Sequence, residues 1–493
     1  MNEALIRSVV DEVLGRLGQS QAGLAPQKIA PPVTVGAHSS VTVKSSSGAR
    51  PLGVFQDAGQ ACEAAAMAFK QLQQKGVAAR RRIIEIIKEM CFANAKEWGR
   101  VELEETRIGR LDHKIGKLTG IRSVPGVEFI HPNGWSGDHG IMLEEYTPFG
   151  VIGAVTPSTH SIPTVACNVV SMVAGGNTVV FNPHPNAARC AAMATRAFNE
   201  AIAREVGIEN VFCLIEAPTL ESFKAMCSHP EVRLLCVTGG PGVVKAAMQT
   251  GKRAICAGPG NPPVVVDETA DLDRAARCVI MGAAFDNNLL CIGEKEVFVV
   301  EKVADAFMKA LEKNGAARLN DSQLERLSKA AFVFKEGQGA GCPHPVVNRD
   351  LVGRDAAVLA QAAGANVPSG VEMLFAETEA KHIFVDEEQM MPFVPVVRVK
   401  NVEEAIQEAK RAEHSYRHTS IIHSHDVENM TAMARALDTT IFVKNGSCLA
   451  GLGNGGEGYP SFSIATPTGE GITNPKTFTR VRRCVMVDNL RIY

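Results

Sequence analysis

Residues 151–185 read VIGAVTPSTHSIPTVACNVVSMVAGGNTVVFNPHP. Val151 to Val155 is a short apolar run that ends in a Thr-Pro turn, which predicts a strand. A helix follows near Pro163 to Val173. Gly175-Gly176-Asn177 breaks it, and Thr178 to Phe181 is apolar again. The alternation continues outward. A helix over Ala187 to Ala203 leads to a strand at Val211 to Ile215. A helix near Leu220 to Cys227 leads to a strand at Leu234 to Val237. A helix over Gly242 to Gln249 precedes another short apolar strand, Val264 to Val266. Strands alternating with helices predict parallel βαβ units and a doubly wound α/β sheet. Ligands of such sheets bind beyond the carboxyl ends of the strands.

Those ends carry chemistry. One has Thr156-Pro157-Ser158-Thr159, a second Asn182-Pro183-His184-Pro185, and a third Thr238-Gly239-Gly240-Pro241-Gly242. Glycines just before a helix let backbone N–H groups approach a phosphate. Each segment alone reads equally well as a tight turn; three in register point to a nucleotide site. Gly451 to Gly456 formally matches GxGxxG. The following Tyr459-Pro460-Ser461-Phe462 does not start a helix, so the match is rejected as a dinucleotide fingerprint.

Composition narrows the function. The chain has 493 residues, 51 Lys+Arg and 53 Asp+Glu, so neither a basic face for nucleic acid nor an acidic tail is expected. Two Trp and four Tyr argue against base-stacking platforms. The 13 cysteines lack CxxC pairs, which excludes a zinc-ribbon pattern and suits a reducing, cytoplasmic setting. His414, His418, His423 and His425 lack metal spacing and read as surface or loop histidines; no metal is expected. No apolar run reaches the ~20 residues of a membrane span, and no secretory signal opens the chain.

Two further segments stand out. Residues 2–17 place Leu5, Ile6, Val9, Val10, Val13, Leu14 and Leu17 on one helical stripe, with Gly18 to close it. Residues 19–50 then lose periodicity and read as a flexible linker. A tethered amphipathic helix either docks on its own domain or fits a partner groove. Cys291 follows Phe285-Asp286-Asn287-Asn288-Leu289-Leu290 and precedes a predicted strand, Glu296 to Val300. A thiol in a loop entering a strand can face a cleft and act as a nucleophile once ionised.

From about residue 50 to 493 the chain resembles the aldehyde dehydrogenase superfamily. Within it, the chain resembles the CoA-acylating enzymes of bacterial microcompartments that act in ethanolamine and propanediol utilisation. The motifs are VTPSTH (155–160), NPHP (182–185), VTGG (237–240), AGPGNPPVVVDETADL (257–272), FDNNLLC (285–291), EQMMP (388–392), FVKNG (442–446) and TPTGEG (466–471). The resemblance implies an aldehyde dehydrogenase fold. Its parts would be a Rossmann-like cofactor domain (51–127 and 149–258), an α/β catalytic domain (259–475) and a small β oligomerisation extension (128–148 and 476–493). Residues 1–18 would be an encapsulation helix for a shell protein, with 19–50 as its linker. A homodimer or homotetramer is implied.

The resemblance also assigns residues. Cys291 matches the catalytic cysteine, and Glu388 the glutamate that holds the nicotinamide ribose. Thr159 stands where hydrolytic members carry an oxyanion-binding Asn. Asn182 stands where many carry a ribose-binding Lys. Thr156, Pro157, Ser158, His184, Pro185, Thr238, Gly239, Gly240, Ala257 and Gly258 complete the expected NAD site. Ala257 replaces the glutamate with which hydrolytic members activate water, a base worth roughly 10²–10⁴-fold. The implied reaction is oxidation of a short-chain aldehyde (propionaldehyde, acetaldehyde or lactaldehyde), with transfer of the acyl group from Cys291 to coenzyme A. No residue of the sequence is an evident base for the CoA thiol. Three other readings are a hydrolytic dehydrogenase making the free acid, a cysteine-dependent acyl-phosphate reductase, and a non-catalytic shell-binding homologue.

Overall fold

The computed structural model describes residues 52–335 and 344–491. The amphipathic helix and linker expected over residues 1–50 lie outside the described residues. Phe332–Lys335 and His344–Val347 pair with each other in a separate two-stranded sheet. The remaining sheets are formed by residues 52–331 and 347–491.

A six-stranded parallel sheet runs in the order Val54–Phe55, Phe212–Ile215, Thr178–Pro183, Val151–Thr156, Val232–Thr238, Ala254–Ala257. The strands Val151–Thr156 and Thr178–Pro183 are buried at every position. That is why they read as unbroken apolar runs rather than alternating ones. The helix between them, Ser161–Ala174, is also buried all round. The helices Ala58–Ala93 and Ala188–Val206 cover the sheet and share a core with Ser161–Ala174. Small residues line that core: Ala68 on the first helix, and Ala191 and Ala194 on the second.

A second parallel sheet has seven strands, in the order Ala317–Arg318, Leu374–Thr378, Phe393–Val399, Glu296–Val300, Pro263–Val266, Thr419–His423, Ile441–Lys444. Its central strands are fully buried. A third, antiparallel sheet joins Asn133–Gly137, Gly140–Pro148 and Thr479–Val487. Thr479–Val487 is the outer strand and is exposed from Arg480 onward, with Val481, Val485 and Val487 each more than half exposed. No helix of the described residues is long and apolar enough to cross a membrane.

Candidate active site

The connections of the six-stranded sheet reverse direction at Val151–Thr156. The chain first winds outward through Thr178–Pro183 and Phe212–Ile215, then returns to Val232–Thr238 on the other side. The carboxyl ends of Val151–Thr156 and Val232–Thr238 therefore flank a switch-point crevice. The motifs expected to hold a nucleotide stand around it. The His184 N–H donates to the Thr156 carbonyl at 3.0 Å. Ser222 donates to Asn182 Oδ1 at 2.7 Å. Thr238 and Ser463 share a hydroxyl hydrogen bond of 2.7 Å, and Thr238 pairs in register with Ala257. Pro157 and Ser158 are half-buried, and His184 and Pro185 exposed.

Two observations fit a dinucleotide. The Thr156 hydroxyl is buried and has no partner among the described residues. Gly240 caps the helix Pro241–Met248, and a Cβ at Gly239, Gly240 or Gly242 would meet nothing closer than 3.9 Å, so their N–H groups stay approachable. Gly258 is tight instead: a Cβ there would lie 2.7 Å from Pro467 Cγ. The TPTGEG segment thus packs on the edge strand, where Thr468 also accepts the Cys256 N–H at 2.9 Å. Ala257 presents only a buried methyl group. Gly451 to Gly456 begins inside a short 3-10 turn, Cys448–Leu452, and starts no α-helix.

Cys291 ends a tightly wound loop. Asp286, Asn287 and Asn288 all have left-handed backbones, with φ of 49°, 56° and 63°. Asp and Asn tolerate this region better than most residues, and here bonds to other segments of the chain hold each of them. Asp286 accepts the Arg110 N–H at 2.8 Å, and its own N–H donates to His113 Nδ1 at 2.8 Å. Asn287 donates to the Gly353 carbonyl at 2.9 Å and to Asp355 at 2.8 Å. Asn288 donates to the Glu294 carbonyl at 3.0 Å. The Lys295 ammonium closes the loop by donating to the Asn288 carbonyl at 2.8 Å, to Asn288 Oδ1 at 2.6 Å and to the Leu290 carbonyl at 3.4 Å.

The charges around Cys291 oppose one another. Burial pushes its thiol up to about 12, and the nearby Glu388 carboxylate pushes the same way, whereas Lys295 pulls it down. Burial also raises Glu388, against the Lys295 cation and the hydrogen bond from the Gly260 N–H. The resting group is thus a thiol, and catalysis needs an acceptor for its proton.

His418 is the residue the sequence concealed. It was expected, with His414, His423 and His425, on the surface or in a loop; His418 does lie in a loop just before the strand Thr419–His423, but it and His423 are buried. His418 Nδ1 bonds Thr419 Oγ1 at 2.8 Å, while its Nε2 has no partner among the described residues. Burial, and then Lys295, lower it to about 4, so it is a neutral imidazole at pH 7. Gly260 separates it from the Cys291 loop: a Cβ at 260 would lie 2.4 Å from the Cys291 carbonyl and 3.1 Å from His418 Cγ. Nothing in the sequence distinguishes a buried histidine from a loop one at this position.

Thr159 is half-buried at the mouth of the crevice, its hydroxyl 2.9 Å from His160 Nδ1. Its carbonyl accepts from Lys117 at 3.3 Å and from Lys114 at 3.4 Å. Lys117 also pairs with Asp286. The structure therefore connects the Thr159 loop with the Cys291 loop, and sets Glu388 within electrostatic reach of Cys291. Among the described residues no group of three His, Cys, Asp or Glu side chains is placed to hold a metal ion.

The chain can be compared with known proteins on this basis. Residues 45–458 match the model of the aldehyde dehydrogenase family. The acetylating acetaldehyde dehydrogenase EutE of Salmonella typhimurium is 46% identical over 443 residues, covering 90% of this chain and 94% of the relative. The crystal structure of Rhodopseudomonas palustris propionaldehyde dehydrogenase with bound propionyl-CoA superposes with a TM-score of 0.84 at 43% identity, covering 88% of this chain and 95% of the other. The same enzyme has also been solved with CoA and an acylated cysteine. The propionaldehyde dehydrogenase of the Clostridium phytofermentans fucose-utilisation microcompartment gives 0.86 at 44% identity, covering 90% and 100%. A parallel switch-point crevice beside a cysteine loop, carried on a chain matched over most of its length, places this protein in the aldehyde dehydrogenase family.

Proposed function

We propose that the protein is a CoA-acylating aldehyde dehydrogenase that converts a short-chain aldehyde, NAD⁺ and CoA to acyl-CoA and NADH. The observation that carries this reading is the combination of a half-buried thiol, Cys291, with a bare, buried methyl group at Ala257. Without a carboxylate there, water lacks its expected activator, and the acyl-enzyme persists until a thiol attacks it.

In this mechanism the Cys291 thiol gives up its proton to solvent water as its sulfur attacks the aldehyde carbonyl, and the sulfur is reprotonated when it leaves in the second half-reaction. The oxygen that becomes negative takes hydrogen bonds from the Thr159 hydroxyl and the Cys291 N–H. For Thr159 to donate, His160 must carry its proton on Nδ1, so that the ring donates to Thr159 Oγ1. Thr156, Asn182, the Gly239-Gly240 turn and Glu388 would hold NAD⁺, which when bound would supply the hydride acceptor. The CoA thiol then attacks the Cys291 thioester, and the Cys291 sulfur leaves. His418, neutral and with a free Nε2, takes up the thiol proton. Two half-reactions through one covalent intermediate give ping-pong kinetics.

The aldehyde is propionaldehyde, acetaldehyde or lactaldehyde. Residues 1–18 serve as a targeting helix for a microcompartment shell protein, a reading supported by their amphipathic stripe and by the microcompartment relative. Self-association as a dimer or tetramer uses the Thr479–Val487 edge, whose exposed valines support it.

The test is NADH formation from propionaldehyde and NAD⁺, with and without CoA, by the wild type and Cys291→Ala. Strict CoA dependence that the substitution abolishes is expected. Equal rates without CoA would mean that another group activates water and that the free acid is the product.

A further inference from the structure

We propose that Lys117 is a positioning residue for this reaction, holding the loop of the nucleophile against the loop of the oxyanion donor. The inference rests on the functional reading above, which supplies the roles of Cys291 and Thr159.

Four charged side chains lie buried between these loops: Glu102, Lys114, Lys117 and Asp286. Lys114 pairs with Glu102 at 3.2 Å, and the other Glu102 oxygen accepts the Ile162 N–H at 3.0 Å. That arm fixes the start of the helix Ser161–Ala174. Lys117 pairs with Asp286. Both ammoniums converge on one backbone oxygen, the Thr159 carbonyl. Asp286 is the first of the three left-handed residues, five before Cys291. Lys117 therefore bonds the backbone of the residue whose hydroxyl stabilises the oxyanion, and also the carboxylate that anchors the nucleophile's loop.

Stability alone does not explain this arrangement. Replacing a buried ion pair by apolar groups of similar volume is often neutral or favourable. What the pair supplies is register. A shift of about 1 Å between nucleophile and oxyanion donor can cost about 10²-fold in rate. Breaking one partner alone would leave an unpaired buried charge, so the informative variant removes both: Lys117→Met with Asp286→Asn, in which the Asn retains an acceptor for the Arg110 N–H.

Three measurements on the full-length double variant test the idea. The first is kcat and KM for aldehyde. The second is the rate at which iodoacetamide labels Cys291, followed by peptide mass. The third is amide hydrogen exchange over 156–160 and 285–291. The expected result is a kcat at least about tenfold lower, an aldehyde KM and a labelling rate within about twofold of wild type, and faster exchange in both loops. Alkylation needs the thiol but no oxyanion donor, so it separates misplacement from damage to the nucleophile. A wild-type kcat, a parallel fall in kcat and labelling, or faster exchange confined to one loop would each overturn the proposal. If the double variant does not fold, Lys117→Arg is measured in the wild-type and Thr159→Ala backgrounds. Loss of its kcat effect when Thr159 is already alanine supports coupling through Thr159, and multiplicative losses refute it. A wild type that makes no NADH would defeat the functional reading instead, while the exchange result would still decide whether Lys117 couples the loops.

Discussion

Gly260 lies against the Cys291 carbonyl so closely that a methyl group at position 260 would stand 2.4 Å from that oxygen. The obstacle is backbone, which cannot rotate away. The Cys291 loop is also tied down by Lys295 and by three left-handed residues, so it cannot yield without losing those bonds. Gly260→Ala is expected to lower kcat/KM by about 10²-fold by displacing the nucleophile. Gly134→Ala is the control, since a Cβ there meets nothing within 4 Å. Steady-state kinetics on both, with circular dichroism for folding, check this. Full activity in Gly260→Ala would mean that the nucleophile loop moves freely.

Glu388 bears on the same thiol electrostatically. Its carboxylate raises Cys291, and Lys295 lowers it. Glu388→Gln removes a negative charge, so the thiolate becomes easier to form and the labelling profile shifts to lower pH. Lys295→Met shifts it to higher pH. A one-unit shift corresponds to about a tenfold change in labelling rate at fixed pH below the pKa. The rate of Cys291 alkylation from pH 6 to 10 reads both signs. If Glu388→Gln moves the profile upward, the electrostatic account of this thiol is wrong.

Much of the six-stranded sheet is legible in the sequence because its central strands are buried on both faces. Val151–Thr156 and Thr178–Pro183 are continuous apolar runs, and Gly175-Gly176-Asn177 marks the break before the second. The strand Ala254–Ala257 escapes notice: three small residues at a sheet edge carry no β-branched signature beyond Ile255. The catalytic loop is legible only as a place. Its left-handed run at 286–288 arises from contacts with His113, Gly353 and Lys295, residues distant or differently oriented in the linear chain. For the same reason His418 reads as a loop residue: its burial is set by strand Thr419–His423 pairing with Pro263–Val266, which no local pattern encodes. The two lysines of Leu111–Gly120 look like solvent-facing charges until Glu102 and Asp286 are brought to them by the fold.

His418 is expected to matter most in the second half-reaction. His418→Ala removes the neutral imidazole next to Gly260 but leaves Cys291 and the oxyanion donors in place. The acyl-enzyme should form, and its transfer to CoA should slow by about 10²-fold. Rapid-quench measurement of the acylated Cys291 peptide checks this: the variant should accumulate acyl-enzyme in the steady state, and raising the pH should partly restore turnover as CoA ionises by itself. No accumulation, with slow NADH formation even in the first turnover, would place His418 in the first half-reaction.

Glu294 offers a prediction about stability rather than rate. It is fully buried, accepts the Cys448 N–H at 2.8 Å, and burial raises it to about 7 from an ordinary 4.5. The folded protein therefore favours the protonated acid. The stabilisation that this supplies is complete below about pH 4.5, where both states are protonated, and is lost as pH rises through 7. Glu294→Gln mimics the protonated form and keeps the acceptor for Cys448. The wild type and the variant should melt at similar temperatures at pH 5. At pH 8 the variant should be the more stable, by up to on the order of 3 kcal/mol. Thermal unfolding of both proteins across this range, at fixed ionic strength, measures the difference. Equal pH dependence in the two would show that Glu294 is already charged in the folded protein, with the Lys295 cation offsetting its burial.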